Sequence, residues 1–280
     1  MTSINKQLIQ LQAVVPFEQG GQRLDQVAAQ LFGEFSRSRL STWIKEGRLT
    51  VDGTVARPRD TVHAGSTLVL DAEQEAQGEW VAQDIELNIV YEDEHLLVID
   101  KPAGLVVHPA AGHADGTLLN ALLHHVPDIV NVPRAGIVHR LDKDTSGVMV
   151  VAKSERAYTA LKAAFKERTV EKGYHALVQG HPDPSRGTID APIDRHPRHD
   201  WRFAVVQGGR PSVTHYEVTE AFPAASLVDI KLETGRTHQI RVHFSALRHP
   251  CVGDMTYGAD PTLAARLGVS RQWLHAVRLG

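Results

Sequence analysis

One short segment of this 280-residue sequence concentrates side chains that can do chemistry. In "HRLDKDTSG" the carboxylates of Asp142 and Asp144 alternate with the cations of Arg140 and Lys143, and two hydroxyl residues follow. The apolar run "VMVVAK" begins directly after Gly147 and has the composition of a buried strand. The spacing therefore places two carboxylates and two cations at the entrance to a strand.

Phosphoryl transfer is one chemistry that this spacing permits. Asp142, Asp144 and Thr145 fit a D-x-D-x-T pattern, in which the first carboxylate attacks a phosphorus atom. That reaction favours an apolar strand directly before the nucleophile, whereas "GIVHRL" places a cation immediately upstream. No acidic pair that would hold Mg²⁺ stands out downstream. An aspartyl-phosphate phosphatase is therefore a remote alternative, and a turn merely capped by Asp142 would leave the surrounding cations unexplained.

A second interpretation gives the chemistry to Asp142 alone. Cations surround it in its own segment and in "ETGRTHQIRVHF", namely Arg134, Arg140, Lys143, Arg236 and Arg241. A carboxylate beside a guanidinium group is ionised at neutral pH. An ionised carboxylate in a basic cleft suits attack on a sugar carbon or removal of a sugar proton. The neighbouring cations would then bind the phosphates on either side of that sugar.

The composition limits the class of protein. With 42% hydrophobic and 22% charged residues, the sequence is typical of a globular protein. No apolar run is long enough for a membrane span, and the N-terminus lacks the pattern of a secretory signal, so we expect a cytoplasmic location. Cys251 is the only cysteine, which excludes an intramolecular disulfide. We expect it to be a small core residue.

The charges are segregated along the chain, although the formal net charge is only −3. Residues 71–94 contain nine acidic residues and no Lys or Arg. Residues 36–59 contain six Lys or Arg against two acids, and residues 134–172 contain nine against five. Two basic patches, one of which includes the reactive segment, favour a polyanionic partner.

Sixteen histidines raise the question of a metal site. The sequence has no H-E-x-x-H motif, and "HHVPD" and "HPRHD" lack partners at ligand spacing. It has neither G-x-x-x-x-G-K-[ST] nor a G-x-G-x-x-G that follows a strand. The sequence therefore predicts no metal and no nucleotide cofactor.

The elements that position these groups fall into two predicted domains. Residues 1–20 show no clear period and are expected to form a flexible arm. Residues 21–71 are expected to form a small domain, followed by an acidic linker over 72–84. The predicted elements of the small domain are helices over 23–32 and 36–47, the latter capped by Ser36, a strand "LTV", a turn at Asp52-Gly53 and a strand over 67–70.

Residues 85–280 are expected to form the second domain. Its predicted strands are the hairpin "LNIVY" and "LLVID" and the runs 148–152, 174–179, 212–222, 225–233 and 273–279. Amphipathic segments over 154–168 and 237–248 predict helices, and Ser154 suits an N-cap. Runs of strands with interspersed helices predict an α+β domain built on a mixed or antiparallel sheet.

Four motifs connect the sequence to a known family. "HRLDKDTSGVMVVAK" resembles the catalytic segment of RluA-type pseudouridine synthases. "KPAGLVVHP", "EKGYHALVQG" and "ETGRTHQIRVHF" resemble that family's other motifs, and residues 22–70 resemble an S4 RNA-binding domain. The resemblance covers about residues 20–280. It implies an S4-type domain followed by a pseudouridine synthase domain, and an isomerase that acts on ribosomal RNA without a cofactor.

The resemblance implies catalytic roles for three residues. Asp142 is the essential acid, which would attack C1′ of the target uridine or abstract the proton at C2′. The uracil would then be released, rotated and rejoined through C5. Tyr174 would pack on the target base and assist proton removal at C5. Arg236 would pair with the catalytic acid.

The resemblance also implies contacts with RNA. Arg140 matches the arginine that enters the space left by the flipped nucleotide and so offsets the lost stacking. The other residues expected to bind RNA are cations of the S4-like helix and of the catalytic motifs, namely Arg37, Arg39, Lys45, Arg134, Lys143 and Arg241. Asp144, Thr145 and Ser146 are expected to shape the loop rather than to react.

The resemblance is greatest to members that modify the helix 69 stem-loop of large-subunit ribosomal RNA. Members that act at other ribosomal sites also carry an S4 domain, so the target uridines stay open. Family members continue past "LHAVRL", whereas this sequence ends at Gly280, and we expect a truncated C-terminus. An inactive S4-type RNA binder is therefore a second alternative. We expect a monomer without a membrane partner.

Overall fold

A computed structural model describes residues 6–33, 35, 37–75, 80–110 and 113–280. The chain divides into two units, Met1–Glu79 and Trp80–Gly280. Ser36, the predicted cap of the second helix, lies outside the described residues. In the part of the chain that is described, no helix combines the length and the apolar character that crossing a membrane requires.

The first unit packs helices against a small antiparallel sheet. Its elements are, in chain order, β1 (Lys6–Val14), α1 (Leu24–Leu31), α2 (Arg37–Lys45), β2 (Leu49–Val51), β3 (Thr54–Val55) and β4 (Thr67–Glu75). The strands lie in the order β1–β4–β2–β3. Leu24 of α1 and Leu40, Trp43 and Ile44 of α2 are buried in one core, as their helical spacing predicted.

The structure differs from the predicted arm over residues 1–20 and from the predicted linker over 72–84. Within residues 1–20, β1 pairs antiparallel with β4 along its whole length. Strand β4 also continues into the predicted linker as far as Glu75. The adjacent residues Leu8 and Ile9 are 62% and 8% exposed, so two neighbouring apolar residues obscure the two-residue period of a strand. Backbone pairing with β4, rather than an apolar pattern, defines β1.

The second unit is a large mixed sheet with flanking helices. Its elements are, in chain order, β5 (Ile89–Glu92), β6 (Leu96–Lys101), α3 (Leu118–His125), β7 (Ser146–Ala152), α4 (Glu155–Glu167), β8 (Lys172–Gln179), β9 (Arg186–Asp190), β10 (Ile193–His196), β11 (His199–Val205), β12 (Val213–Ala221), β13 (Ala225–Leu232), α5 (Gln239–Ala246), α6 (Pro261–Arg266) and β14 (Leu274–Leu279). The strands of the large sheet lie in the order β5–β6–β7–β14–β8–β13–β12–β9, and β10 pairs with β11.

The last strand of the chain lies at the centre of this sheet. β14 pairs in parallel with β7 and antiparallel with β8, and the other neighbouring strands described in the sheet pair antiparallel. The predicted α+β class, with a mixed and mainly antiparallel sheet and flanking helices, is confirmed. Because β14 returns between β7 and β8, the loop that precedes β7 opens beside both of these strands.

Helix α3 was absent from the sequence prediction, and its burial explains why. Leu118, Leu119, Leu122 and Leu123 all join the core that β6 and β7 cover. A helix that is apolar on most sides has no polar face, so it lacks the periodicity that identifies a surface helix. By contrast, α4 is amphipathic and was predicted. Its N-cap is also confirmed, because the Ser154 hydroxyl accepts a hydrogen bond from the backbone N–H three residues on.

Gly147, the last residue of the reactive segment, occupies a position that only glycine suits. Its φ is +124°, and a Cβ there would overlap the backbone of Ala276 in β14. Since β14 is paired on both sides, this backbone cannot move without breaking the sheet. We expect Gly147→Ala to lower the free energy of unfolding by about 3 kcal/mol or more, measured by urea denaturation.

Gly104 provides the matched control for this variant. Its φ is +90°, but a Cβ there would meet nothing within 4 Å. Gly104→Ala therefore tests backbone strain alone and should cost roughly 1–2 kcal/mol. Equal losses in the two variants would contradict the contact with Ala276.

Candidate active site

A cavity of about 440 Å³ opens where the loop before β7 meets β8 and the start of α5. Sequence-predicted site residues that line it are Arg140, Asp142, Tyr174, Arg236 and Arg241. Arg134 and Lys143 do not line it. Asp142 and Arg241, which are 99 positions apart in sequence, therefore share one cavity, as the family motifs implied.

Asp142 is held by an arginine of α5. Its Oδ2 accepts a hydrogen bond from Nη1 of Arg241 at 3.1 Å. The same guanidinium group donates from Nε and Nη2 to both carboxylate oxygens of Asp254, at 2.6 and 3.0 Å. Burial alone would lower the pKa of Arg241, but the hydrogen bonds and charges of the two aspartates raise it above its ordinary value. A permanently charged and doubly anchored cation thus fixes Asp142.

The arginine that pairs with Asp142 is Arg241, whereas the sequence prediction gave that pairing to Arg236. The Nε of Arg236 donates instead to the carbonyl oxygen of Pro211 at 3.2 Å. The reason is where the helix begins. Because α5 starts only at Gln239, Arg236 precedes it and lies in the loop, while Arg241 lies in the first helical turn beside the carboxylate.

Lys101 fastens the loop that carries Asp142. Its ammonium group donates to the carbonyl oxygens of Pro102, Leu105 and Lys143 at 2.8, 2.9 and 3.0 Å. Lys101 is fully buried, and burial lowers its pKa to about 8. The N–H of Gly104 donates to the same oxygen of Lys143. The "KPAG" motif therefore supports the "HRLD" motif through hydrogen bonds to the backbone of Lys143.

Asp144 belongs to the turn rather than to the cavity. The turn is closed by a hydrogen bond from the N–H of Thr145 to the carbonyl oxygen of Asp142 at 3.1 Å. The carbonyl oxygen of Asp144 accepts a hydrogen bond from Nη1 of Arg271 at 2.9 Å, and Asp144 does not line the cavity. The two carboxylates of the D-x-D-x-T pattern therefore do not face one substrate, which removes the geometric basis of the phosphatase alternative.

His139 anchors the beginning of the same segment. Burial lowers its pKa to about 4, so the imidazole is neutral at physiological pH. Its Nε2 accepts a hydrogen bond from the N–H of Val150 in β7 at 3.0 Å, and its ring stacks on Phe165 of α4 with the centroids 4.7 Å apart. The histidine of "HRLD" therefore joins the loop that carries Asp142 to a strand and a helix.

Buried polar side chains hold the loop between β13 and α5. Oε1 of Gln239 accepts from the hydroxyl of Thr234 at 2.8 Å, and its Nε2 donates to the carbonyl oxygen of Val213 at 3.0 Å. His243 is fully buried, and its Nε2 lies 2.9 Å from the carbonyl oxygen of Ala191. These contacts fix α5 against β12 and its neighbours, and so fix the direction in which the helix presents Arg241.

Tyr174 reaches the cavity from β8. It lies opposite Ile230 of β13 and Ala276 of β14, and packs against the apolar cores on both sides. Burial, followed by the negative charge of Asp142, raises the pKa of its phenol above the ordinary value. Tyr174 is therefore a neutral, apolar ring beside the carboxylate.

A cluster of cations crowds the rim of the cavity, formed by Arg168, Lys172 and Arg236. Burial, followed by the charges of Arg168 and Arg236, lowers the pKa of Lys172. Burial and neighbouring arginines lower the pKa of Arg236 in the same way. Like charges held together attract an anion into the space among them. Arg168 and Lys172 were not singled out in the sequence, although the basic stretch 134–172 contained both.

Arg134 and Arg140 lie on the surface beside His108. Nη2 of Arg134 is 3.0 Å from Nε2 of His108. Burial, followed by the charges of both arginines, lowers the pKa of this histidine to about 4. His108 is therefore neutral and accepts the hydrogen bond. Arg140 is exposed and lines the cavity.

In the first unit, the predicted RNA-binding cations differ in their partners. Arg37 donates from Nε and Nη2 to the buried carboxylate of Asp25, at 3.1 and 2.8 Å. The guanidinium group of Arg39 lies over the ring of Trp43, 5.6 Å from its centroid. Lys45 is exposed. Arg37 therefore has an intramolecular role, because it neutralises Asp25.

Comparisons with known families agree with these motifs. The family described as RNA pseudouridylate synthase matches residues 95–246, which contain Asp142, Tyr174 and Arg241. The S4 domain family matches residues 22–68. The resemblance indicated by the four motifs and by the S4-like segment is therefore confirmed.

Comparisons with individual proteins identify the same family. The chain is 64% identical over 278 residues to the ribosomal large subunit pseudouridine synthase D of Pseudomonas aeruginosa, spanning 96% of this chain and 87% of that protein. It is 55% identical to the protein of the same name from Xanthomonas campestris, spanning 96% and 83%. The solved structure of human RNA pseudouridylate synthase domain containing 1 is 36% identical, with a TM-score of 0.57 over 71% of this chain and 79% of that one. The chain thus belongs to the RNA pseudouridylate synthase family, and it is an isomerase that forms pseudouridine in RNA.

Proposed function

We propose that this enzyme modifies large-subunit ribosomal RNA and that its target uridines lie in the helix 69 stem-loop. Both bacterial relatives compared above are named as ribosomal large subunit enzymes. The S4 domain in the same chain supplies a second RNA-binding surface. The observation that carries the catalytic part of the proposal is the ion pair of Asp142 and Arg241 in a cavity that also contains Tyr174.

Asp142 is the group that starts the reaction in this proposal. Arg241 occupies its Oδ2, which leaves Oδ1 for the chemistry, and the side chain is 18% exposed at the cavity. The carboxylate either attacks C1′ of the target uridine or removes the proton at C2′. In both routes the bond between C1′ and N1 breaks, the uracil rotates, and a new bond joins C1′ to C5. C5 then loses its proton and N1 gains one, so the product is an isomer of uridine.

The target nucleotide must leave its helix to reach Asp142. A cavity of this size accepts a single extruded nucleotide, and flipping is costly because stacking is lost. The exposed guanidinium group of Arg140 at the cavity is suited to fill the space that the nucleotide leaves. The neutral ring of Tyr174 is suited to pack on the flipped base. Its raised pKa keeps the phenol protonated at neutral pH, so the ring that packs on the base is uncharged.

The cations at the rim would hold the RNA backbone around the flipped nucleotide. Lys172 and Arg236 are partly buried and are repelled by the exposed Arg168, and a phosphate group placed among the three would relieve this repulsion. Arg236, although it does not pair with Asp142, thereby keeps a role in binding. We infer that the enzyme acts as a monomer. We also infer that the enzyme acts in the cytoplasm, where its ribosomal substrate would be met.

Tritium release tests the proposed function directly. A transcript of the helix 69 stem-loop is labelled with tritium at C5 of its uridines, because pseudouridine formation replaces that hydrogen. The wild-type chain should release tritium, and a stem-loop from another part of ribosomal RNA should release none. Release from the second transcript alone would favour the alternative ribosomal target. Binding without release from either would favour the inactive RNA binder.

The S4 domain should contribute to the affinity through phosphate contacts of α2. We expect the double variant Arg39→Ala, Lys45→Ala to bind the transcript more weakly. The slope of the logarithm of affinity against the logarithm of salt concentration should decrease by about 1 to 2, since each lost phosphate contact contributes roughly 0.7–0.9. Filter binding at several salt concentrations measures this slope.

Arg186→Ala is the control for this experiment. Arg186 lies on the surface of β9 and pairs with Glu217 at 2.7 Å. Its removal deletes one cation without touching α2, so the salt slope should stay that of the parent. A double variant of α2 with an unchanged slope would exclude this face of the S4 domain from RNA binding.

A further inference from the structure

A histidine that the proposed mechanism does not use lies beside the catalytic carboxylate. Nε2 of His238 is 3.8 Å from Oδ2 of Asp142, and its side chain is 21% exposed at the cavity. This separation exceeds the length of a hydrogen bond, and Oδ2 already accepts from Arg241. Among the described residues, Nε2 makes no hydrogen bond. The nitrogen is therefore available to a bound nucleotide.

The imidazole of His238 is held rigidly. Its ring makes edge contacts with Phe203 and Tyr257, with centroids 5.6 Å apart in each pair. The backbone of His238 has a φ of +56°, a left-handed conformation that residues other than glycine adopt at an energetic cost. Such strain persists where the surrounding structure imposes it. The hydrogen bond from Thr234 to Gln239 holds the loop around His238 in place.

Tyr257 determines which nitrogen of His238 carries the proton. The hydroxyl oxygen of Tyr257 accepts a hydrogen bond from the N–H of Phe203 at 3.2 Å. Its own proton needs an acceptor, and Nδ1 of His238 lies 2.7 Å away. With Nδ1 as the acceptor, the neutral ring carries its proton on Nε2. The N–H of Nε2 is consequently directed at the cavity.

The ring is neutral at physiological pH. Burial lowers the pKa of His238 below its ordinary value, and Arg241 and Arg140 lower it further. Asp142 and Asp254 oppose this shift without reversing it. A neutral imidazole with a fixed tautomer is a hydrogen-bond donor at Nε2 over the whole neutral pH range.

We propose that His238 is a further catalytic residue, whose Nε2–H binds a carbonyl oxygen of the uracil ring as this leaves C1′. The inference rests on the proposed function, because it concerns a uridine in this cavity. Whichever way Asp142 starts the reaction, the electron pair of the broken bond between C1′ and N1 stays on the uracil. The resulting anion spreads its charge onto the carbonyl oxygens. A preorganised donor stabilises this charge without itself losing the proton.

The geometry also explains why the donor is neutral. A cationic imidazole would form an ion pair with Asp142 and compete with the pairing to Arg241. A neutral N–H next to the carboxylate leaves Asp142 charged and reactive. It can still donate to the departing base, which must lie against the same wall of the cavity to be rejoined through C5.

Amide substitutions separate the two nitrogens of the imidazole. The amide nitrogen of glutamine reaches the position of Nε2, whereas that of asparagine reaches the position of Nδ1. We expect His238→Ala and His238→Asn to lower the single-turnover rate at saturating RNA by about 100-fold. His238→Gln should stay within about tenfold of the parent, because it keeps a donor at the required position. RNA affinity, measured by filter binding, should be unchanged in all three.

Two further variants complete this test. Tyr257→Phe removes the hydroxyl that donates to Nδ1, so the proton of the imidazole is no longer held on Nε2. This variant should slow the reaction less than His238→Ala does. His124→Ala removes an exposed histidine of α3 outside the cavity and should react at the parental rate. A parental rate for His238→Ala, or equal rates for the Gln and Ala variants, would overturn the proposal. Absence of tritium release from the parental enzyme would instead overturn the proposed function.

Discussion

Asp142→Asn should abolish pseudouridine formation and leave RNA affinity unchanged. Asparagine has nearly the same shape as aspartate and can still accept a hydrogen bond from Arg241. It has neither the charge to attack C1′ nor the basicity to remove a proton from C2′. We expect the single-turnover rate of tritium release to fall by about 10³- to 10⁴-fold. The dissociation constant, measured by filter binding, should stay within experimental error of the parent.

Asp144→Asn is the matched control, because it makes the same chemical change two residues along the chain. Asp144 does not line the cavity; its backbone carbonyl accepts from Arg271, and its carboxylate acts only through its charge on the buried Lys101. This variant should therefore release tritium at nearly the parental rate. Equal inactivity of the two variants would mean that the loop, rather than the carboxylate of Asp142, is sensitive to substitution. Normal turnover by Asp142→Asn would exclude it as the reactive group.

The sequence was most informative where a residue type is required by chemistry at a fixed place in a motif. Asp142 and Tyr174 were located in this way, and the structure brings both to one cavity. Amphipathic periodicity located α1, α2 and α4 for a related reason, since a helix with one buried face must repeat its apolar residues. In these cases the local sequence pattern already shows which face of the helix is buried or which residue reaches the cavity.

Prediction failed where the determining contact is distant in sequence. Arg236 and Arg241 belong to one motif, and the motif alone does not show which of them faces Asp142. That depends on how α5 packs against β12, where Gln239 donates to the carbonyl oxygen of Val213. Asp254 was not identified, because nothing near it in sequence signals an ion pair with Arg241. β1 was missed since its partner strand lies some sixty residues away. Such features depend on long-range pairing that single-sequence periodicity does not contain.

Asp254 is the residue whose loss should damage both stability and catalysis. It is almost completely buried and binds Arg241 through both carboxylate oxygens. Asp254→Ala leaves a buried guanidinium group with Asp142 as its remaining carboxylate partner. Removing one member of a buried ion pair typically costs about 3–5 kcal/mol, and we expect a loss of unfolding free energy of this size in urea denaturation. The turnover rate should fall as well, because Arg241 no longer holds Asp142 in place.

A double variant distinguishes the two effects of Asp254→Ala. Adding Arg241→Met removes the uncompensated buried charge, so part of the lost unfolding free energy should return. Turnover should not return, since Asp142 would then lack its cation.

Glu171→Ala breaks an exposed pair with Lys231 and serves as the control, for which stability and rate should stay near those of the parent. If the double variant regained activity together with stability, Arg241 would contribute to folding alone, and the positioning of Asp142 would have to come from elsewhere in the cavity.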